Sequence, residues 1–306
     1  MSGPAGAAGV SDDVPATLEL RSFALRLAGA VSSAPLSVRS TAHRLGLVGD
    51  WESLFQLFSG RAEAASGSAK ILGCELESAI SSGVLGFAAC DVPLPSSFTV
   101  SEYLRHAARL SHGSASRAVH DAQRALDRYG LAELAKRKLG ELALYQQRAL
   151  GIALSTLTAP AVVCLEAPLR KLDAPSADYI ARLCGEAGAH SRVLLSAAMP
   201  SSPSAERSLL DSCDELLVQR HGALVAQGAP SSVFAPGTRY TLTVKGPKIA
   251  DFSGALRGAG VRLEARAESG RFSVELPAGG ASTDLLLDTA LEHGLTVLEL
   301  EPLFVT

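Results

Sequence analysis

The chain predicts two domains: a mixed α/β domain with a parallel sheet over residues 17–234 and a small α+β domain over residues 238–306. Three observations carry this expectation. Ala161–Leu165 and Arg192–Ser196 are short apolar runs with a helical stretch, Ala177–Ala187, between them. That is the pattern of a βαβ unit whose strands are covered on both faces. Arg44–Val48 reads as a strand that meets Gly49-Asp50 and runs into Trp51–Phe58, whose apolar positions 51, 54, 55 and 58 share one helical face. From Arg239 onward the order is strand, helix, strand, strand, helix, strand.

The elements follow in order. Thr17–Leu27 and Leu36–Arg39 read as strands ahead of Arg44–Val48. Ser66–Gly73 reads as a turn and a short strand, and Val84–Phe87 as another. Residues 95–158 form a helical subdomain. Its first helix is capped by Thr99 with Glu102 at the third position, its second spans Ser114–Tyr129, and its third starts near Leu142 and reaches Leu157. Pro200–Ser204 is expected to be a flexible loop, and Glu215–Gln219 with Ala223–Ala226 a hairpin about Arg220-His221-Gly222. Ala235-Pro236-Gly237 links to the second domain, whose middle strands turn at Ser269-Gly270 and whose βαββαβ order is ferredoxin-like.

Composition bounds the function. With 47% apolar residues in 306, the core is ample, yet no stretch nears the 18 or so apolar residues of a membrane span. Residues 1–16 are Gly/Ala-rich and lack a basic segment and an apolar run, so a flexible tail is expected rather than a signal peptide. A net charge of −3 argues against nucleic-acid binding. Five cysteines without a CxxC pair read as small buried hydrophobes of a reducing cytoplasm, and no histidine pairs at metal-ligand spacing.

Several stretches resemble the ATP-binding cassette (ABC) family, the nucleotide-binding subunits of ABC transporters. Leu57-Phe-Ser-Gly60 with Ser66–Gly73, Phe98-Thr-Val-Ser-Glu-Tyr-Leu104 and the long Cys213–Pro230 carry the resemblance, which covers roughly 17–232. The C-terminal domain, ending Thr296–Pro302, resembles the accessory domain of ABC-2-type exporter and gliding-motility cassettes. The implied fold is a P-loop NTPase-like cassette with a helical subdomain, plus the small ferredoxin-like domain.

Every nucleotide motif that the resemblance locates is degenerate. A phosphate loop turns backbone N–H groups and a lysine toward phosphates. Here Gly46 and Gly49 run straight into Asp50, Trp51, Glu52 and Ser53, about four residues short of the family's loop and without its lysine. Asp50 and Glu52 favour a helix N-terminus but repel a triphosphate. At the metal-binding strand end, Glu166 stands for the metal-holding aspartate and Ala167 for the glutamate that polarises water, which alanine cannot do. The signature motif that would hold the partner's γ-phosphate is Leu142, Ala143, Leu144, Tyr145 and Gln146, with bulk where small residues belong. Cys90 replaces the Q-loop glutamine and Ala198 the switch histidine, while the D-loop pair Leu172-Asp173 is kept.

The expectation is a kept fold with a discarded site: a non-hydrolytic cassette with no cofactor and no metal. It would pair with a membrane permease subunit, an active ABC ATPase, or both, in a transport or motility complex. It would be cytoplasmic, peripheral at the inner face of the membrane through its partner. One alternative is a weakly active ATPase that uses ATP and Mg²⁺ through Glu166. Another is a soluble scaffold without a transporter. The basic stretch Arg124, Arg128, Lys136, Arg137, Lys138 reads as a solvated face, or alternatively as a permease contact.

Overall fold

The computed structural model describes residues 14–27, 30–31, 35–91, 93–112, 114–200, 204–220, 222–234, 239–265, 270–277 and 283–302. The expected tail before Val14, the loop residues 201–203, His221, the linker 235–238 and the turn residues 266–269 lie outside them. The chain divides into two compact units, 1–230 and 231–306.

In the first unit the chain passes through β1 (Leu18–Leu27), β2 (Ala30–Val31), β3 (Leu36–Ser40), β4 (Arg44–Gly49), α1 (Glu52–Phe58), β5 (Glu63–Ile71), β6 (Cys74–Glu75), α2 (Leu76–Ser81) and β7 (Leu85–Ala88). The helical segment holds α3 (Val100–His112), α4 (Ala115–Arg128), two 3-10 turns and α5 (Leu144–Ser155). Then come β8 (Val162–Leu165), α6 (Ala174–Ala187), β9 (Arg192–Ala197), α7 (Ala205–Asp211), β10 (Glu215–Arg220) and β11 (Ala223–Gly228), with α8 (Pro230–Val233) at the unit boundary.

Two sheets organise this unit. One has the order β11-β10-β4-β9-β8-β7, parallel throughout except for the β10–β11 hairpin. The other is antiparallel, β2-β1-β5-β6, with β3 also on β1. The apolar run Val162–Leu165 is wholly buried, as a central parallel strand requires. Leu18, Leu20 and Ile71 of the antiparallel sheet join Leu47, Cys164, Leu194 and Leu217 of the parallel one in a single core, and α1 contributes Leu54, Phe55 and Phe58.

Four local readings differ from expectation. Cys74, read with the other cysteines as a buried hydrophobe, is exposed. Ser66–Gly73 is not a turn followed by a short strand, because β5 begins at Glu63 and continues through Gly67. Gly67 has φ +75°, and a Cβ there would lie 2.2 Å from the Arg21 carbonyl oxygen, so this glycine admits a close strand crossing at a register shift of β1 against β5. The segment read as a flexible tail is already packed at its end: Ala16 is buried and its carbonyl accepts the Leu72 N–H at 2.8 Å. α2 and α7 were not foreseen. Both are short, six and seven residues, and lack a full helical period of apolar positions.

The second unit runs β12 (Arg239–Lys245), α9 (Ile249–Gly258), β13 (Arg262–Ala265), β14 (Arg271–Glu275), α10 (Thr283–Glu292) and β15 (Thr296–Pro302). Its sheet is antiparallel in the order β13-β14-β12-β15. Phe252 and Leu256 of α9 and Leu286 of α10 pack on Leu242, Phe272 and Val274 as its own core. No helix among the described residues is long and apolar enough to cross a membrane.

Candidate functional site

The resemblance places a nucleotide at the ends of β4, β8 and β9, beside the start of α1. β4 is deeply buried, and only Asp50 and Trp51 separate it from α1. Gly49 has φ +94°, and a Cβ there would meet the Gln219 carbonyl oxygen at 2.1 Å, so the turn is pressed against β10 and demands glycine. The Asp50 N–H donates to Gln219 O at 3.3 Å and the Trp51 N–H to Gly49 O at 2.9 Å. These amides are therefore spent on protein carbonyls. A phosphate loop would leave them facing a ligand.

Trp51 is 2% exposed and lies in the core, and its indole Nε1 donates to Leu217 O at 3.1 Å. The sequence marked it both as an apolar position of a helical face and as part of the degenerate phosphate loop, whereas it stands just before α1 as its cap residue. Glu52 is exposed and Ser53 half-buried at the start of α1.

At the end of β8, Glu166 is 8% exposed. Its Oε2 accepts the Cys90 backbone N–H at 3.0 Å and lies 4.0 Å from the Arg61 guanidinium. Ala167 has φ +38°, a left-handed conformation unusual for a residue with a Cβ, and its N–H donates to Ser196 Oγ at 2.9 Å. Ala198, one residue past β9, is exposed. A cavity of about 250 Å³ brings Ala167 and Ala198 together, with Leu169, Arg170, Ser196 and Glu206 among its lining. Neither alanine can accept a proton or orient water there.

Cys90 belongs to a chain of side chains that sequence reasoning missed. The Arg148 guanidinium donates to Cys90 Sγ at 3.0 Å and to Asp91 Oδ1 at 3.3 Å, and Lys171 Nζ lies 3.8 Å from Asp91 Oδ2. Cys90 Sγ in turn points its weak donor at Ala167 O, 3.6 Å away. Burial pushes the Cys90 thiol up, and the Arg148 charge only partly opposes this, so the group stays a thiol rather than a nucleophilic thiolate. Burial also pulls the Asp91 carboxyl up, but the Arg148 hydrogen bond and the Lys171 charge prevail and hold it below its ordinary value. The one available signal was Arg148 itself, the one charged residue of α5.

The signature segment begins with buried Leu142, exposed Ala143, and half-buried Leu144 and Tyr145. Gln146 Oε1 accepts the Ala143 N–H at 3.0 Å, so the glutamine caps its own helix. Tyr145 packs edge-on against Tyr179 of α6, with ring centroids 6.0 Å apart. Leu172 is half-buried, and Asp173 caps α6 by accepting the Ser176 N–H at 3.0 Å. Hydrogen bonding from the Ser176 side chain, and then from its backbone N–H, holds the Asp173 carboxyl below its ordinary value.

The comparisons with known proteins agree with this architecture. No family model matches the chain. Among solved structures, it is similar to cbiO1 from Clostridium perfringens, part of the ABC transporter complex cbiONQ, at 19% identity and TM-score 0.60, covering 72% of this chain and 91% of that one. A nucleotide-free ATP-binding cassette from an ABC transporter matches at 18% identity and TM-score 0.57, covering 70% and 91%. The ADP conformation of another such cassette matches at 15% and 0.59, covering 72% and 95%.

The first unit has the fold of an ABC cassette. At these identities the likeness is one of fold, and what the chain does must be argued from its own site.

Proposed function

We propose that this chain is a non-hydrolysing cassette, a structural or regulatory subunit that pairs with a membrane permease, an active ABC ATPase, or both. The observation that carries this reading is the β4–α1 turn: its amides are bonded to Gly49 O and Gln219 O, and no lysine follows. The site then lacks phosphate grip, and with Ala167 and Ala198 it lacks water activation as well. A partner follows by analogy with the Clostridium protein, which is part of a transporter complex. We read the second unit as a ferredoxin-like accessory domain of the ABC-2 or gliding-motility kind. The protein would hold no ATP or Mg²⁺ and would sit at the inner face of the membrane through its partner.

Calorimetric titration of the purified protein with Mg-ATP tests the reading. No heat of binding at millimolar nucleotide is expected, and no steady-state hydrolysis above background. Introducing Ala167→Glu together with Ala198→His should leave both results unchanged, because neither substitution rebuilds a phosphate loop. Saturable ATP binding by the unmodified chain would overturn it.

A further inference from the structure

We propose that the α3–α4 hairpin docks on anionic lipid headgroups. This goes beyond the function proposed above, which needs a membrane protein but no lipid contact. Residues 100–128 carry five arginines against Glu102, Asp121 and Asp127, a net +2 in a chain of net −3, so the rest carries −5. One of the three acids, Asp121, is buried and held by Arg117 at 3.6 Å and Arg124 at 2.9 Å.

α3 buries Val100, Leu104 and Ala108, and its helical period turns Arg105, His106, Arg109 and Leu110 outward. Leu110 is 89% exposed, and Val119 of α4 is 53% exposed. Between the helices is a notch of about 220 Å³, lined by Glu102, Arg105, His106, Arg109, Ala118 and Val119 among others. The Glu102 carboxylate is committed to the Thr99 N–H and hydroxyl, both at 2.8 Å.

The notch suits one phosphate head, with Leu110 and Val119 placed to enter the interfacial layer beside it. It is too small for a peptide helix, which is about 10 Å across. Of the phenol, phenyl and indole rings that stack best on bases, α3 and α4 hold only that of Tyr103, and it is half-buried, which disfavours base stacking. An anionic surface would attract this hairpin and repel the remainder of the chain, which fixes the docking face.

The test is co-sedimentation of the full-length protein with vesicles of phosphatidylcholine alone and of phosphatidylcholine with phosphatidylglycerol. Capture by the anionic vesicles only, weakening with added salt, is expected. Arg105→Gln with Arg109→Gln should weaken it about 30-fold, at roughly 1 kcal/mol per arginine near a charged surface. Leu110→Ser should weaken it less. All three side chains are exposed, so unchanged circular dichroism is expected of each variant.

Equal capture by neutral vesicles, no capture by either, or unaltered capture of the double variant overturns the proposal. Retention on immobilised polyglutamate without vesicle capture overturns it in favour of an acidic protein partner. None of these results bears on the nucleotide titration, so the two readings fail separately.

Discussion

The ends of β4 and β8 are built in different ways. At β8 Ala167 holds a left-handed turn and Asp173 caps α6, and on the reading proposed above the departures there are of side chains: Glu166, Ala167 and, on the neighbouring strand, Ala198. At β4 only two residues join strand to helix, and a buried indole sits there. A missing side chain can be restored by substitution. A phosphate loop cannot, because the amides of the present turn are already given to Gly49 O and Gln219 O.

That contrast sets an order of expected effects. The largest belong to the β4–α1 turn, which should behave as core. Trp51→Ala should destabilise the protein by about 3–5 kcal/mol in urea unfolding, and Gly49→Ala by more than about 2 kcal/mol through strain and the Gln219 contact. If either change is nearly neutral, the turn is not the rigid replacement argued here.

Next comes Glu166. Glu166→Ala strands the buried Cys90 N–H and should cost about 1–3 kcal/mol. Glu166→Gln keeps an acceptor, and most of that loss should be absent from its unfolding midpoint. Equal losses in the two variants would show that charge rather than the hydrogen bond matters.

Ala167→Gly should stabilise by up to about 1 kcal/mol, measured in the same way, because glycine occupies φ +38° without a Cβ penalty. A loss instead would mean that the Cβ packs usefully in the small cavity.

The smallest effect is a pH dependence at α6. Asp173 has a folded value below its ordinary 3.8, so its cap contributes stability above that value and loses it as pH falls through the lower folded one. Asp173→Asn should flatten that acid slope and leave neutral-pH stability little changed, since asparagine also caps.

Much of the architecture was legible because it rests on local periodicity. The apolar runs Ala161–Leu165 and Arg192–Ser196 announced buried parallel strands, found at Val162–Leu165 and Arg192–Ala197, and Thr99 with Glu102 announced a cap, which is made at 2.8 Å. Long-range contact was not legible. Arg148 meets Cys90 across 58 positions of sequence and Trp51 meets Leu217 across 166, and no spacing rule reaches so far. β5 was misread because Ser66-Gly67-Ser68 looks like a turn, whereas pairing with β1 overrides that local chemistry. The absent lysine after Gly49 was plain from the start. What took its place was not, because burial is a property of the fold rather than of the residue.

The tryptophan at this turn is also the only one in the chain. Excited selectively at the red edge of its absorption, the protein therefore has a single emitter, enclosed in apolar surroundings and hydrogen-bonded to a backbone carbonyl. Its fluorescence colour and its accessibility to a soluble quencher report on one place, the junction of β4 and α1. Any partner or ligand that pries this junction open announces itself optically, with no label attached.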